Sequence, residues 1–414
     1  MINLPHLFLI TCIICVKSTH AASIIPDYPM HEGLIDIHPY VTADTVYDSN
    51  IFRLQNGAQA KSLFGSSSLS DRLFELEFGL ATKMRLSNQL ILLDLNVNQT
   101  KYNRFSNLDY VGNNKRVQWD WQLGNNLNGI ISYNSSKQDS GFADVVSSAQ
   151  VVRENNLRTT NTTHADINWQ LQSEWSLFSS FENADSVNSS TAFRFNDRQE
   201  TTIESGVLYQ SHLLTNIGLS VKRKDYDYAN RSAASLALFG NSTVRKELIG
   251  RFGSQLNART NLNVQIAAVN IDYPQVKTRK SDNLSQNWTL VYAVSPDTQI
   301  SLNAFKDFNQ VDDILYNTAE VKGFAITPSW NVTSKITVGG LASIKKQDYL
   351  GSSGAVLTSN PRSDKLESYG VNAKYLFSRR ALLALSYLDT QRSSNMAGIS
   401  FKDKLVRLTA GFEY

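Results

Sequence analysis

Val406-Arg407-Leu408-Thr409-Ala410-Gly411-Phe412-Glu413-Tyr414 closes the sequence. Val406, Leu408, Ala410, Phe412 and Tyr414 fall on one face of an extended chain, and Arg407, Thr409, Gly411 and Glu413 on the other. Such period-two alternation marks a strand whose two faces meet different surroundings. Upstream the pattern recurs. Phe74, Leu76, Phe78 and Leu80 alternate with Glu75, Glu77 and Gly79, and Val117, Trp119, Trp121 and Leu123 with Arg116, Gln118, Asp120 and Gln122. Ile203, Val207 and Tyr209 alternate with Glu204, Gly206 and Gln210, and Trp288, Leu290, Tyr292 and Val294 form a further stripe. These runs are about 10 to 14 residues long, enough for a tilted strand to cross a bilayer and longer than the five or six usual in soluble sheets.

Turn formers punctuate the stripes. Short turns fit Arg85-Leu86-Ser87-Asn88, Gly124-Asn125-Asn126, Gln172-Ser173-Glu174 and His212-Leu213-Leu214-Thr215. They continue at Asn257-Ala258-Arg259-Thr260, Ser295-Pro296-Asp297-Thr298, Thr333-Ser334-Lys335 and Ser378-Arg379-Arg380, spaced roughly 36 to 48 residues apart. Longer polar stretches lie between them, such as Ser140 to Arg153, Ala229 to Ser242 and Leu350 to Ser363. Short turns at one end and long loops at the other is the asymmetry of bacterial outer-membrane barrels. A β-propeller also repeats at this period, but its blades hold four short strands, whereas each repeat here holds two long ones. Trp119, Trp121, Trp169, Trp175, Trp288 and Trp330 sit near the short turns, as an interfacial girdle requires; core tryptophans of a soluble β-protein are the alternative. The expected fold is all-β: a transmembrane, antiparallel, up-and-down barrel of about 18 strands, with 16 as the alternative count, and with both termini periplasmic. The terminal strand and its final aromatic, Tyr414, resemble the C-terminal signal that such barrels present to their assembly machinery, although phenylalanine is the usual last residue.

Leu7 to Val16 is apolar but too short to span a bilayer as a helix. Thr19-His20-Ala21 then supplies small residues at a cleavage site before Ala22. The expected organisation is a signal peptide over 1–21, a periplasmic segment over 22–34 and the barrel over 35–414. A lipoprotein cysteine at Cys12 or Cys15 is the alternative, against which bulky Ile10 and Ile14 argue. Ordinary cleavage removes both cysteines, so the mature chain holds no disulfide and takes its stability from elsewhere. The formal net charge of +3, to which Lys17 of the signal contributes, gives no reason to invoke nucleic acid.

Catalytic apparatus is sparse. His31, His38, His164 and His212 remain after cleavage, none at metal-ligand spacing from another. No G-x-S-x-G elbow, P-loop or H-E-x-x-H stretch occurs, and no cofactor or metal is expected. His164 is the one candidate base for a barrel hydrolase; a hydrogen-bonded lumen histidine is the plainer reading. Asp44, Asp48 and Asn50 suggest a calcium loop, but counting from Asp48 places Arg53 and Gln59 where glycine and glutamate are needed. The barrel's chemistry is instead a polar inner face. The alternation projects Glu75, Glu77, Asp94, Asp120 and Glu204 inward with Lys222, Lys224, Arg251 and Arg407, as candidate pore-lining residues of mixed sign. A narrow or plugged barrel whose inner charges pair with one another is the alternative.

Pro39 to Leu54, PYVTADTVYDSNIFRL, resembles the opening strand of the EpsL-like outer-membrane barrel porins associated with exopolysaccharide biosynthesis. The matching part runs Tyr47-Asp48-Ser49-Asn50-Ile51-Phe52-Arg53-Leu54. The resemblance implies a non-catalytic outer-membrane passage for an exported polysaccharide, in contact with outer-membrane lipid and with exopolysaccharide biosynthesis components as partners. A general diffusion porin is the second expectation. A barrel enzyme or a surface-binding barrel is the third.

Overall fold

The computed structural model describes residues 34–414 except 143–154, 212–213, 232, 234–235, 238–239, 277–280, 312–315, 317 and 351–360. The expected signal peptide and the segment that follows it, up to residue 33, lie outside the described residues, as do parts of the turn at 212–215 and of the three long loops. Eighteen strands follow one another: β1 Ile35–Asp48, β2 Asp71–Leu86, β3 Gln89–Tyr102, β4 Tyr110–Leu123, β5 Leu127–Asp139 and β6 Leu157–Gln170. Next come β7 Trp175–Asn188, β8 Arg198–Gln210, β9 Thr215–Asp227, β10 Ser242–Asn257, β11 Thr260–Asp272 and β12 Ser281–Ser295. The series ends with β13 Thr298–Gln310, β14 Thr318–Thr333, β15 Ile336–Leu350, β16 Ser363–Leu376, β17 Ala381–Ser394 and β18 Phe401–Glu413. Each pairs antiparallel with its sequence neighbours, and β1 pairs with both β2 and β18, so the sheet has no free edge. Closure is the condition under which strands survive in lipid, because every backbone donor finds a partner within the sheet.

Directly opposed residues of a ladder share a face. Asp44 faces Glu75 on β2 and Thr409 on β18, Glu75 faces Thr100, and Thr409 faces Ala384. The alternate residues Phe74, Phe78, Leu95, Trp119, Leu248, Leu385 and Leu408 are all exposed. One face of the closed sheet therefore offers large apolar side chains and the other carries polar groups, which is a barrel built for an outer membrane. Trp119, Trp169, Trp175 and Trp330 lie on the exposed apolar face near the short turns, whereas the likewise exposed Trp288 lies midway along β12 and not at the short-turn end that its sequence position suggests. The strands run to 16 residues, longer than the stripes in the sequence suggest, and longer than the 9–11 or so that a crossing needs. The surplus carries the sheet past the membrane. At the short-turn end, Gly124 takes φ +60° in the β4–β5 turn, a conformation that costs glycine nothing.

The β1–β2 connection is the long-loop element that the alternation does not announce. It contains a helix, α1 (Gly57–Phe64), capped by Asn56, whose side chain accepts from the Gln59 amide at 3.0 Å, and ended by Gly65 at φ +73°. Ile51, Phe52, Leu54, Ala60 and Leu108 form a buried cluster against Phe64, Phe105 and Phe142 and against Leu73 and Tyr102 of the strands. Leu73 and Tyr102 oppose each other, and Leu73 opposes Val46, all on the polar-face side of the sheet. The segment thus folds inward over the rim rather than outward into solvent.

Candidate functional site

The resembling motif, Tyr47 to Leu54, is a structural staple at the seam where first and last strands meet. The buried Asn50 side chain donates to the Leu54 carbonyl at 2.7 Å and to the Lys402 carbonyl at 2.9 Å, and accepts from the Leu54 amide at 2.9 Å. Arg53 reaches Asp48 at 2.9 Å and Asp403 at 3.2 Å, and Ser49 donates to Asp403 at 3.1 Å. Burial opposes the Arg53 charge, but Asp48 and Asp403 outweigh it and hold the guanidinium's pKa above its usual value. Arg53 takes φ +55°, a left-handed conformation for a non-glycine residue, held by these bonds. Asp44, Asp48 and Asn50 are accordingly occupied by Thr409, Arg53 and backbone groups. Among the described residues no group of three His, Cys, Asp or Glu side chains is placed to hold a metal.

Below the rim the nine candidate lumen residues all lie on the polar face by register, and they fall into separate groups. On β8–β10, Glu204 lies 2.6 Å from Arg251 and 4.0 Å from Lys222, and accepts from Ser220 at 2.8 Å. Lys224 meets Glu200 at 2.7 Å. On β2–β3, Glu75 accepts from the Asn98 amide at 2.9 Å, and Asp94 from the Tyr40 hydroxyl at 3.2 Å. Glu77 faces Thr42 on one side and Asn98 on the other. Arg407 lies across the seam, 3.7 Å from Asp44. Asp120 stands apart toward the short-turn end of β4 and accepts from Gln118 at 2.6 Å.

Several participants escape a reading by alternation alone. Arg245, with 8 % of its surface exposed, pairs with Glu247 at 2.7 Å and Asp307 at 2.8 Å; Arg198 pairs with Glu200 at 2.6 Å, and the buried Arg362 with Asp364 at 2.6 Å. The signal that finds them is an arginine two residues before a carboxylate, which puts both on one face of a strand. The upper inner wall also turns apolar: Ile249, Ala267, Val269 and Ile271 are buried in a cluster with Tyr273 and Phe308. A third cluster joins Tyr316, Ala319, Val321 and Tyr349. Together with the cluster under the β1–β2 connection, these put apolar side chains at the long-loop end of the barrel.

His164 faces Ser132 across β5–β6. One imidazole nitrogen lies 3.0 Å from Asp166 and the other 3.9 Å from Glu182. Bonded to Asp166 with Glu182 nearby, the residue reads as part of a polar network on the inner face.

No protein-family profile matches the chain, and no curated protein matches it. Solved structures share the barrel. OccAB3 of Acinetobacter baumannii aligns over 92% of this chain and 100% of its own with 11% identity and a TM-score of 0.47. The outer membrane protein OpdK of Pseudomonas aeruginosa aligns over 92% and 99% with 8% identity and a TM-score of 0.48. OccK2 (OpdF) of Pseudomonas aeruginosa, in complex with glucuronate, aligns over 91% and 98% with 9% identity and a TM-score of 0.48.

Proposed function

We propose that this barrel is an outer-membrane diffusion channel for small hydrophilic solutes, with weak charge selectivity and no catalytic step. The observation that carries the reading is the division of the closed sheet into an apolar outer face and an inner face that holds charges of both signs. An 18-strand barrel is wide enough for a lumen beyond its own side chains. The inward rim clusters favour small solutes over a polymer. Export of an exopolysaccharide is the second reading, favoured by the resemblance of residues 39–54. The buried members of that motif hold the seam and the rim, so they speak for a shared barrel design rather than for a shared cargo. Recognition of β18 by the barrel assembly machinery belongs to the same proposal.

Reconstitution tests the reading. Purified protein in planar bilayers should give stable conductance, and liposomes carrying it should swell in monosaccharide but not in long dextran. Absence of both conductance and swelling would overturn the diffusion reading. Loss of surface polysaccharide on gene deletion, with retained precursor, would favour the second.

A further inference from the structure

On the outer face, Lys306, Lys322, Lys346 and Lys365 stand directly opposite one another in a single rung across β13, β14, β15 and β16. Neighbouring strands are about 4.8 Å apart, and like charges directly opposite destabilise a sheet. Elsewhere on the outer face Lys404 opposes Asp389, and among the described residues like charges meet there only as a pair, Lys246 with Arg223, never in a run of four. Three carboxylates attend the four ammonium groups. Glu320 lies 3.1 Å from Lys306 and 3.4 Å from Lys322; Asp348 lies 3.7 Å from Lys322 and 3.0 Å from Lys346; Glu367 lies 2.9 Å from Lys365. Glu320 and Asp348 are each shared between two lysines. Each ammonium carries three donors, so the rung keeps both positive charge and donors in excess.

The rung lies near the long-loop ends of its strands, where β14 begins and β15 ends. The next rung toward the membrane is Trp288, Ala304, Phe324 and Ile344. Trp288, Phe324 and Ile344 are exposed, and the small Ala304 between Trp288 and Phe324 leaves a groove of about 360 Å³. Lys322 and Lys346 line the same groove, with Gln286 beside Trp288. The β12–β13 ladder ends at Gln286 and Lys306, so the seam above the groove is unpaired.

We infer that this rung and groove bind a phosphorylated, multiply acylated lipid of the outer leaflet, its phosphate on Lys322 and Lys346 and an acyl chain against Trp288, Ala304 and Phe324. Charge complementarity commits the site to an anionic headgroup, and the groove opens onto the hydrocarbon-facing surface. A phosphate bridging the lysines removes the repulsion that the register builds in. The inference rests on the barrel's outer face and is independent of what passes through the lumen.

The test uses the delipidated full-length barrel in a neutral detergent, titrated with diphosphoryl lipid A, with its dephosphorylated form, and with inorganic phosphate. Lipid A should bind and raise the melting temperature, whereas the dephosphorylated form and phosphate alone should not. Lys322→Gln with Lys346→Gln should weaken lipid A binding by about tenfold or more, since each lysine near an anionic lipid surface contributes measurably. Lys402→Gln with Lys404→Gln removes the same charge from the outer face elsewhere and should change binding by less than about twofold. Without lipid, the first pair exchanges lysine–lysine repulsion for the loss of the Glu320 and Asp348 ion pairs, so its own lipid-free melting temperature is the baseline for its lipid A shift. Lys322→Arg with Lys346→Arg should retain binding and guards against a folding artefact. Equal lipid A affinity in wild type and Lys322→Gln/Lys346→Gln overturns the inference, as does equal binding of the dephosphorylated lipid. Protection by inorganic phosphate to the same extent as lipid A would mean an adventitious ion only, and would overturn it too.

Discussion

On the wall built by β8–β10, every carboxylate has a cation: Glu204 meets Arg251 and Lys222, Glu200 meets Arg198 and Lys224, and Glu247 meets Arg245. On the wall built by β1–β4, Glu75 accepts from Asn98, and Asp94 accepts from Tyr40 and faces Arg116 in register. Both walls read alike as alternating polar residues. The difference teaches that polarity on a strand face sets where a side chain points, while spacing within the strand and register with its neighbours together decide whether its charge is cancelled. The β8–β10 wall is a lattice whose members hold one another, so damage there appears as lost stability. By register the β1–β4 wall sets Glu75, Glu77 and Asp94 beside Arg116, so carboxylates outnumber the cation among these four and changes there appear as altered selectivity.

The largest expected effect breaks the lattice. Arg245→Ala would leave Glu247 and Asp307 facing each other inside the barrel, at a cost of about 3–5 kcal/mol. Urea unfolding in liposomes measures it, and a loss below 1 kcal/mol would mean the lattice does not hold the wall.

Next in size is a control that separates the inner walls from the outer face. Leu290→Arg, on the outward stripe with Trp288 and Tyr292, should cost about 2–4 kcal/mol, whereas Thr289→Arg should cost much less. Thr289 opposes Asn263 and Asn303 on the inner face. Equal losses for the two would refute the division of faces on which the comparison depends.

The rim staple comes third. Asn50→Ala removes three hydrogen bonds from a buried side chain and should cost about 1–3 kcal/mol. Because these bonds tie the β1–β2 connection to β18, the variant should also show noisier single-channel current. A quiet trace with wild-type stability would contradict this.

The smallest effect sharpens the comparison most directly. Glu75→Gln with Asp94→Asn should shift reversal potentials toward anions, lowering the cation-to-anion permeability ratio by about twofold at low salt and less at high salt. Lys222→Gln should move the ratio less, because Glu204 keeps Arg251. The opposite order of effects would mean the β1–β4 carboxylates do not face the ion path.

Much of this was open to a reader of the sequence. Period-two stripes and short turns such as Gly124-Asn125-Asn126 mark eighteen strands and their faces, because a strand alternates its side chains whatever surrounds it. The motif at residues 47–54 stands out as a motif, but its role does not. Asp48 and Asn50 suggest a calcium loop until Arg53 turns back on Asp48, and Asp403 and the Lys402 carbonyl are brought beside them from a strand some 350 residues away. Helix α1 is not legible in the sequence for a related reason. Its eight residues carry too little periodicity to announce themselves, and it is held by packing around Phe52 and Ala60.

The sequence by itself determined the strands, their two faces, and the asymmetry between short turns and long loops. These are local properties, set by the geometry of the extended chain and by turn chemistry. Only the tertiary structure decided which charges cancel between strands, that the β1–β2 connection folds inward, and that four lysines from four strands share one rung. Those facts depend on register, and register is a relation between strands that no single strand contains.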